Sequence, residues 1–374
     1  MKNFIYLFFL NLYLCEKNIN VRKPIFFQQA KKKQLSENIL IQPTSKKKNA
    51  ILGLIWGYSI FSVLPFFESL NSVDFKNCDV IIFVKNISRS VLNYLKIIGV
   101  FIYEISEEYK NISVTKLRWK LYIDFLKEKR NIYNLIFITD IRDTIFQKDI
   151  FKYYENNNDS FLGVALEDGT LTHYLNKKWI INFAGEEKYA IIKDQRIICF
   201  GTLWGTLDII LKFLFIFWEK LKSNHNSTDQ GIGNYLFYYE KIFKEYLIKS
   251  DNFGQVITIG LTPRENIYLD SNNNILNFKG EIASVIHQYD RKPDIISKIN
   301  SKFLVANKTR INIFIDFFKS EQNDKIRKNN IIIFFILLES FTIIIFLKEI
   351  ISLNKFKKIS GNIIIRKNKS NIVK

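Results

Sequence analysis

Cysteine and histidine are scarce in this 374-residue chain, at three each. Cys15, Cys78 and Cys199 are widely separated, which excludes both a disulfide framework and a zinc site of closely spaced thiols; the expected role is that of small buried hydrophobes. No unbroken apolar run reaches the roughly 20 residues that cross a bilayer. The run at 4–14 suits a signal-peptide core, and the run at 331–347 is interrupted by Glu339 and Ser340. A central Glu costs about 2.5–3.5 kcal/mol on insertion scales while each Ile, Leu or Phe returns roughly 0.3–0.6, so 331–347 is expected to insert; the alternative is a buried or partner-binding helix.

Acidic residues are short at the two ends. The net charge is +19, yet residues 51–301 hold 30 Lys and Arg against 29 Asp and Glu, leaving +8 in residues 1–50 and +10 in residues 302–374. A nucleic-acid protein carries its positive charge on the folded face that grips phosphates, so this distribution excludes nucleic acid as the expected partner. Instead it points to basic tails at an anionic membrane surface. The acid-free tail from Lys355 to Lys374 is expected on the cytoplasmic side.

With 48% hydrophobic residues the chain can bury a sizeable core. Three regions are expected: an apolar and basic segment at 1–49, a catalytic domain at 50–301, and a basic extension at 302–374. Within the middle region, apolar runs at 50–56, 79–84, 100–105, 134–139, 160–166, 255–259 and 282–286 read as strands. Stretches at 61–70, 89–97, 115–129, 207–222 and 230–248 repeat apolar residues at helical spacing. Alternating strands and helices imply an α/β fold with a mostly parallel sheet covered on both faces.

The strand at 134–139 stops on Asp140-Ile141-Arg142-Asp143. Carboxylates at the end of a strand sit where open α/β sheets bind ligands, and their oxygens suit Mg²⁺ or Mn²⁺. The alternative is that either Asp folds back on its own turn. His287 ends the run at 282–286 and would project from another strand end, where neutral imidazole can ligate a metal. Asp229 precedes an amphipathic helix, and its local sequence favours a helix cap over a general base. Gly201-Thr202-Leu203-Trp204-Gly205-Thr206 reads as a turn leading into a helix whose N-terminus favours anions.

In order and spacing these segments resemble nucleotide-sugar glycosyltransferases of the GT-A fold, within a group carrying Thr-Asp-x-Arg-Asp-x-x-Phe-Gln. The match covers Ile51-Leu52-Gly53-Leu54, Phe66-Phe67-Glu68-Ser69-Leu70, Arg118, residues 139–151, residues 201–206, Asp229-Gln230 and His287-Gln288-Tyr289-Asp290-Arg291. The resemblance implies a Rossmann-like sheet and Mn²⁺ or Mg²⁺ at Asp140, Asp143 and His287. It implies donor contacts from Gly53, Arg118, Arg142, Gly201, Thr202 and Arg291, and Asp229-Gln230 beside the acceptor. Arg142 stands where the family's Asp-x-Asp has its second acid, so Asp140 and Asp143 are alternatives for the metal.

The activity so implied is transfer of a hexose or pentose from a nucleoside diphosphate sugar to a hydroxyl of a glycan, glycoprotein or glycolipid. Inversion would need a base, Asp229 or Glu167; retention would not. Membrane association through the termini is expected, in the secretory pathway of a eukaryote or on the cytoplasmic membrane face otherwise. An inactive GT-A-fold protein binding a glycan or a partner is the main competing reading. An aspartyl phosphatase or phosphotransferase fits less well, because its Asp-x-Asp-x-Thr pattern would misplace the acid by one residue.

Overall fold

The computed structural model describes residues 47–305 apart from 110–111, 156–158 and 225–227. The expected signal or anchor at 4–14, the apolar span 331–347 and its basic tail lie outside the described residues. No helix among the described residues is long and apolar enough to cross a membrane.

Strands β1 (Lys48–Trp56), β2 (Cys78–Lys85), β3 (Phe101–Glu104) and β4 (Tyr133–Thr139) alternate with helices α1 (Ile60–Ser72), α2 (Arg89–Ile98) and α3 (Val114–Glu128). All four strands are parallel, in the order β3-β2-β1-β4. The runs of β1 and β4 are apolar at successive positions because both faces are covered: Ala50, Ile51, Leu52, Ile136 and Phe137 are all fully buried, whereas the edge strand β3 is largely exposed.

The chain continues through β5 (Thr144–Phe146), α4 (Ile150–Tyr154), β6 (Leu162–Thr170), α5 (Tyr174–Ala184), α6 (Glu186–Ile192) and β7 (Arg196–Thr206). Then follow α7 (Leu207–Lys222), α8 (Asp229–Tyr238), β8 (Leu247–Ser250), β9 (Val256–Thr258), β10 (Tyr268–Leu269), β11 (Ile275–Leu276), β12 (Val285–His287) and α9 (Pro293–Asn300). The main sheet has seven strands in the order β3-β2-β1-β4-β7-β6-β8, and only β7 runs against the rest. The expected mostly parallel α/β sheet is therefore what forms.

Aromatic side chains fasten the helices to it. On one face Trp119 of α3 meets Phe217 of α7 edge-on at 5.2 Å, and Phe213 stacks on Phe237 of α8 at 5.1 Å. On the other, Phe66 of α1 packs against Phe146 at 5.6 Å, and Phe146 against Phe137 at 5.7 Å. A smaller sheet, β5-β12-β9, extends from the end of β4, with β12 antiparallel to β5 and parallel to β9.

Two expectations are corrected here. Residues 201–206 are not a turn but the second half of the eleven-residue β7. Because β7 is antiparallel, the start of α7 is carried to the opposite end of the sheet from Asp140: Thr206 pairs with Leu135, and Thr202 with Thr139. That helix N-terminus is therefore no anion site for the cluster at Asp140. The helix expected over 230–248 ends at Tyr238, with Lys241 and Phe243 in the left-handed region at φ of 54° and 55°. Its remaining apolar residues, Ile242, Phe243 and Leu247, pack on the same core from a turn and from β8, which mimics helical spacing.

Candidate functional site

The end of β4 sets the site. Asp140 leaves the sheet immediately after Thr139, its amide donating to Gly201 O at 2.8 Å, and a tight turn brings the chain back as β5. The β5–β12 ladder places His287 directly opposite Thr144, one residue after Asp143. Two strand ends distant in sequence thus present three ligand-type side chains to one point.

Asp140, Asp143 and His287 each offer a donor atom within 4.8 Å of the others. His287 Nε2 lies 3.5 Å from Asp143 Oδ1 and 3.8 Å from Asp140 Oδ2. The imidazole is 1% exposed, Asp143 is 4% exposed, and Nε2 makes no hydrogen bond of its own. A buried ring nitrogen with no hydrogen bond of its own, in ion-pair range of two carboxylate oxygens, fits a divalent cation. Both acids can serve: Asp140 turns Oδ2 toward the ring while its Oδ1 accepts from Arg118.

Gly201 makes room for the ring. A Cβ there would lie 2.1 Å from His287 Cε1 and 2.9 Å from Asp140 Oδ2, so no larger residue fits against this cluster as built.

Charges shape the protonation. Burial pulls the His287 imidazole down, but the neighbouring Asp143 and Asp140 carboxylates outweigh it and hold the metal-free ring well above its usual range. Burial pushes Asp143 up, and His287, Arg142 and Arg291 more than offset this, leaving it below the ordinary carboxylate range. Burial also opposes the Arg118 charge, yet Asp229 and Asp140 keep that guanidinium firmly protonated.

Arg118 is the hinge pin between two halves of the site. Projecting from α3, it donates to Asp140, to Asp229 and to Phe200 O at 3.2 Å. Asp229 is not the helix cap that its local sequence favours. Thr228 Oγ1 caps α8 by accepting from Gly231 N at 3.2 Å, which frees Asp229 Oδ2 for Arg118 and for Trp119 Nε1 at 3.2 Å. Asp229 Oδ1 accepts from Gln230 N at 2.9 Å. The Gln230 side chain bridges Asn176 Oδ1 at 3.0 Å, Glu167 Oε1 at 3.4 Å and Phe200 N at 3.3 Å.

A cavity of about 500 Å³ opens over this floor. Arg118, Asp140, Arg142, Asp143, Glu167, Gly201, Asp229, Gln230, His287 and Arg291 all line it, which unites ten of the twelve residues singled out from sequence. Arg142 and Arg291 stand near it half-exposed, sharing Asp290 at 3.1 and 3.5 Å.

The other two lie elsewhere. Gly53 sits beneath Ile141, where a Cβ would fall 2.1 Å from Cδ1, and Thr202 is fully buried in the β4–β7 ladder. Neither lines the cavity. Both pack there, Gly53 against the Asp140 turn and Thr202 within β7.

Sequence reasoning passed over several cavity residues. Tyr58, Gln288 and the α5 side chains Leu175, Asn176 and Trp179 line it, as does Cys199. Cys199 is buried as expected but is more than a hydrophobe: its Sγ lies 3.4 Å from His287 Nδ1, and burial pushes the thiol up to about 11. The one signal was the position of Cys199 two residues before Gly201.

No family model and no curated protein matches this chain. Among solved structures, the apo structure of the WbbM bifunctional glycosyltransferase is similar over 69% of this chain and 50% of its own, at 11% identity and a TM-score of 0.44. The chain thus spans about half the length of that protein. A glycosyltransferase involved in the glycosylation of the major capsid of PBCV-1 is similar over 68% of this chain and 98% of its own, at 12% identity and a TM-score of 0.36. Likeness at this level assigns no chemistry to the chain, which rests on its own site.

Proposed function

We propose that this chain is a metal-dependent glycosyltransferase that moves a sugar from a nucleoside diphosphate to an acceptor hydroxyl. The observation that carries this reading is the buried His287 Nε2 converging with Asp140 and Asp143 at the C-terminal edge of a mostly parallel sheet. The sequence order of residues 139–151, Gly201, Asp229-Gln230 and His287–Arg291 supports sugar transfer among the reactions such a site can serve.

Asp140, Asp143 and His287 would hold the ion, and a mixed oxygen and imidazole set favours Mn²⁺ over Mg²⁺. Bound there, the ion would neutralise charge on the diphosphate leaving group. Arg142 and Arg291 are exposed enough to bind the same oxygens, giving preorganised positive charge where negative charge develops. Arg118 is already committed to Asp140 and Asp229, so its role is to orient them.

For an inverting reaction the proton acceptor is Glu167. Both oxygens of Asp229 accept hydrogen bonds from Arg118, Trp119 and Gln230 N. Among the described residues the Glu167 carboxylate has only the 3.4 Å contact from Gln230 Nε2.

The test is a screen of nucleoside diphosphate sugars for Mn²⁺-dependent thermal stabilisation, followed by product analysis with candidate acceptors. A donor present at a hundred times its Kd stabilises by about 2.7 kcal/mol. The expected result is a rise in Tm that needs both metal and donor and disappears in Asp143→Asn. Equal stabilisation with and without Mn²⁺, or an unchanged response in Asp143→Asn, overturns the assignment.

A further inference from the structure

On the side of the His287 ring away from the two carboxylates lies a buried sulfur. Cys199 is 2% exposed, with Sγ 3.4 Å from His287 Nδ1. A second nitrogen donor, Gln288 Nε2, points at the same atom at 3.7 Å. Sulfur is a weak acceptor, so two side-chain nitrogens gathered around one buried thiol is a specialised arrangement.

The surrounding backbone holds it in place. Gln288 adopts a left-handed conformation at φ 58°, fixed by its amide donating to Asp143 O at 2.8 Å. Such a conformation in a non-glycine residue costs of order 1–3 kcal/mol and persists where neighbours over-determine it. Here it directs one side chain to Cys199 and ties the residue after His287 to Asp143.

We propose that Cys199 is a positioning residue for His287, accepting the Nδ1 proton and thereby fixing the tautomer whose Nε2 lone pair faces Asp140 and Asp143. The inference rests on the reading of that cluster as a metal site. A neutral imidazole carries a single N–H, and the hydrogen bond at one nitrogen decides which atom is left as the ligand. Were the proton on Nε2, no lone pair would meet the cation. Such outer partners are usually carboxylates or carbonyls; a neutral thiol performs the same task without adding negative charge to a site that already has two acids.

The experiment is calorimetric titration of Mn²⁺ into the full-length protein and its Cys199→Ser, Cys199→Ala and Cys199→Val variants, with the metal-free Tm of each measured in parallel. Removing an outer partner of a metal-bound histidine costs roughly 10–100-fold in affinity. Cys199→Ala and Cys199→Val, which remove the sulfur with a smaller and a larger apolar side chain, are expected to lose at least about tenfold. Cys199→Ser keeps an acceptor and is expected to stay within about threefold of the parent.

Parent-like Mn²⁺ affinity in Ala or Val overturns the positioning role while leaving the metal site standing. So does a Ser variant as weak as Ala. A parent protein that binds no Mn²⁺ overturns both readings together.

Discussion

Replacing Arg118 with Met removes the one cation that ties the β4 edge to the start of α8 while keeping a stem of similar reach. The pair with Asp229 is largely shielded, with side-chain exposures of 15% and 11%. Stripping a buried carboxylate of its counter-charge costs about 3–5 kcal/mol. Asp140, at 38% exposure, reaches solvent, so losing its partner adds no more than about 1 kcal/mol. The expected loss is therefore about 3–5 kcal/mol, set by Asp229. For a domain of this size that lowers Tm by roughly 6–20 °C.

Urea denaturation of Arg118→Met, Asp229→Asn and the double variant measures it. The double variant removes the orphaned charge as well as the arginine, so it is expected to recover about 1–3 kcal/mol relative to the sum of the single losses. A loss below about 1 kcal/mol in Arg118→Met, with the singles adding to within about 0.5 kcal/mol, would refute the account of Arg118 as the clamp between the two acids.

Three further expectations can be checked separately. Gly201→Ala drives a methyl into the His287 ring, which lies 2.1 Å from the required Cβ position. It is expected to cost about 1–3 kcal/mol of stability and to weaken Mn²⁺ binding at least about tenfold, by denaturation and calorimetry. Because the His287 pKa is raised in the metal-free protein, a bound proton must leave Nε2 before the cation enters. Mn²⁺ affinity should then climb by up to about tenfold per pH unit and level off once pH exceeds that raised value; a flat profile through pH 6–9 contradicts it. The metal-free fold responds with the opposite sign: its His287 contribution is complete below the unfolded pKa and is lost as pH rises through the folded one. Attachment through the termini predicts that deleting residues 320–374 moves the protein from the membrane fraction to the supernatant; an unchanged fraction excludes that segment as the sole anchor.

Much of the architecture can be read along the chain because parallel strands buried on both faces need continuous apolar runs. The runs at 50–56, 79–84 and 134–139 become β1, β2 and β4 with ends shifted by no more than two residues. Helix α7 matches its expected bounds, 207–222, since its apolar stripe faces one core throughout. Errors arose where local pattern and long-range pairing diverge. Nothing within Gly201–Thr206 states that the segment will be held between β4 and β6, and it is that pairing which makes it strand. The short β5 is too brief to signal itself and is held by pairing with β12, whereas the runs at 282–286 and 255–259 do mark β12 and β9.

The site divides in the same way. Residue type and position at strand ends were enough to single out Asp140, Asp143 and His287, because carboxylates and imidazole at such ends are chemically conspicuous. Their convergence depends on a ladder joining residues 144–146 to 285–287, a contact across some 140 positions that no local pattern encodes. Tertiary structure alone decided that Thr228 caps α8 so that Asp229 can meet Arg118, and that Gly53 packs beneath Ile141 away from the cavity. It also decided that Cys199 stands behind the His287 ring. The physical reason is common to all of these: a side chain's chemistry is intrinsic, but its partners are chosen by packing of elements remote in sequence.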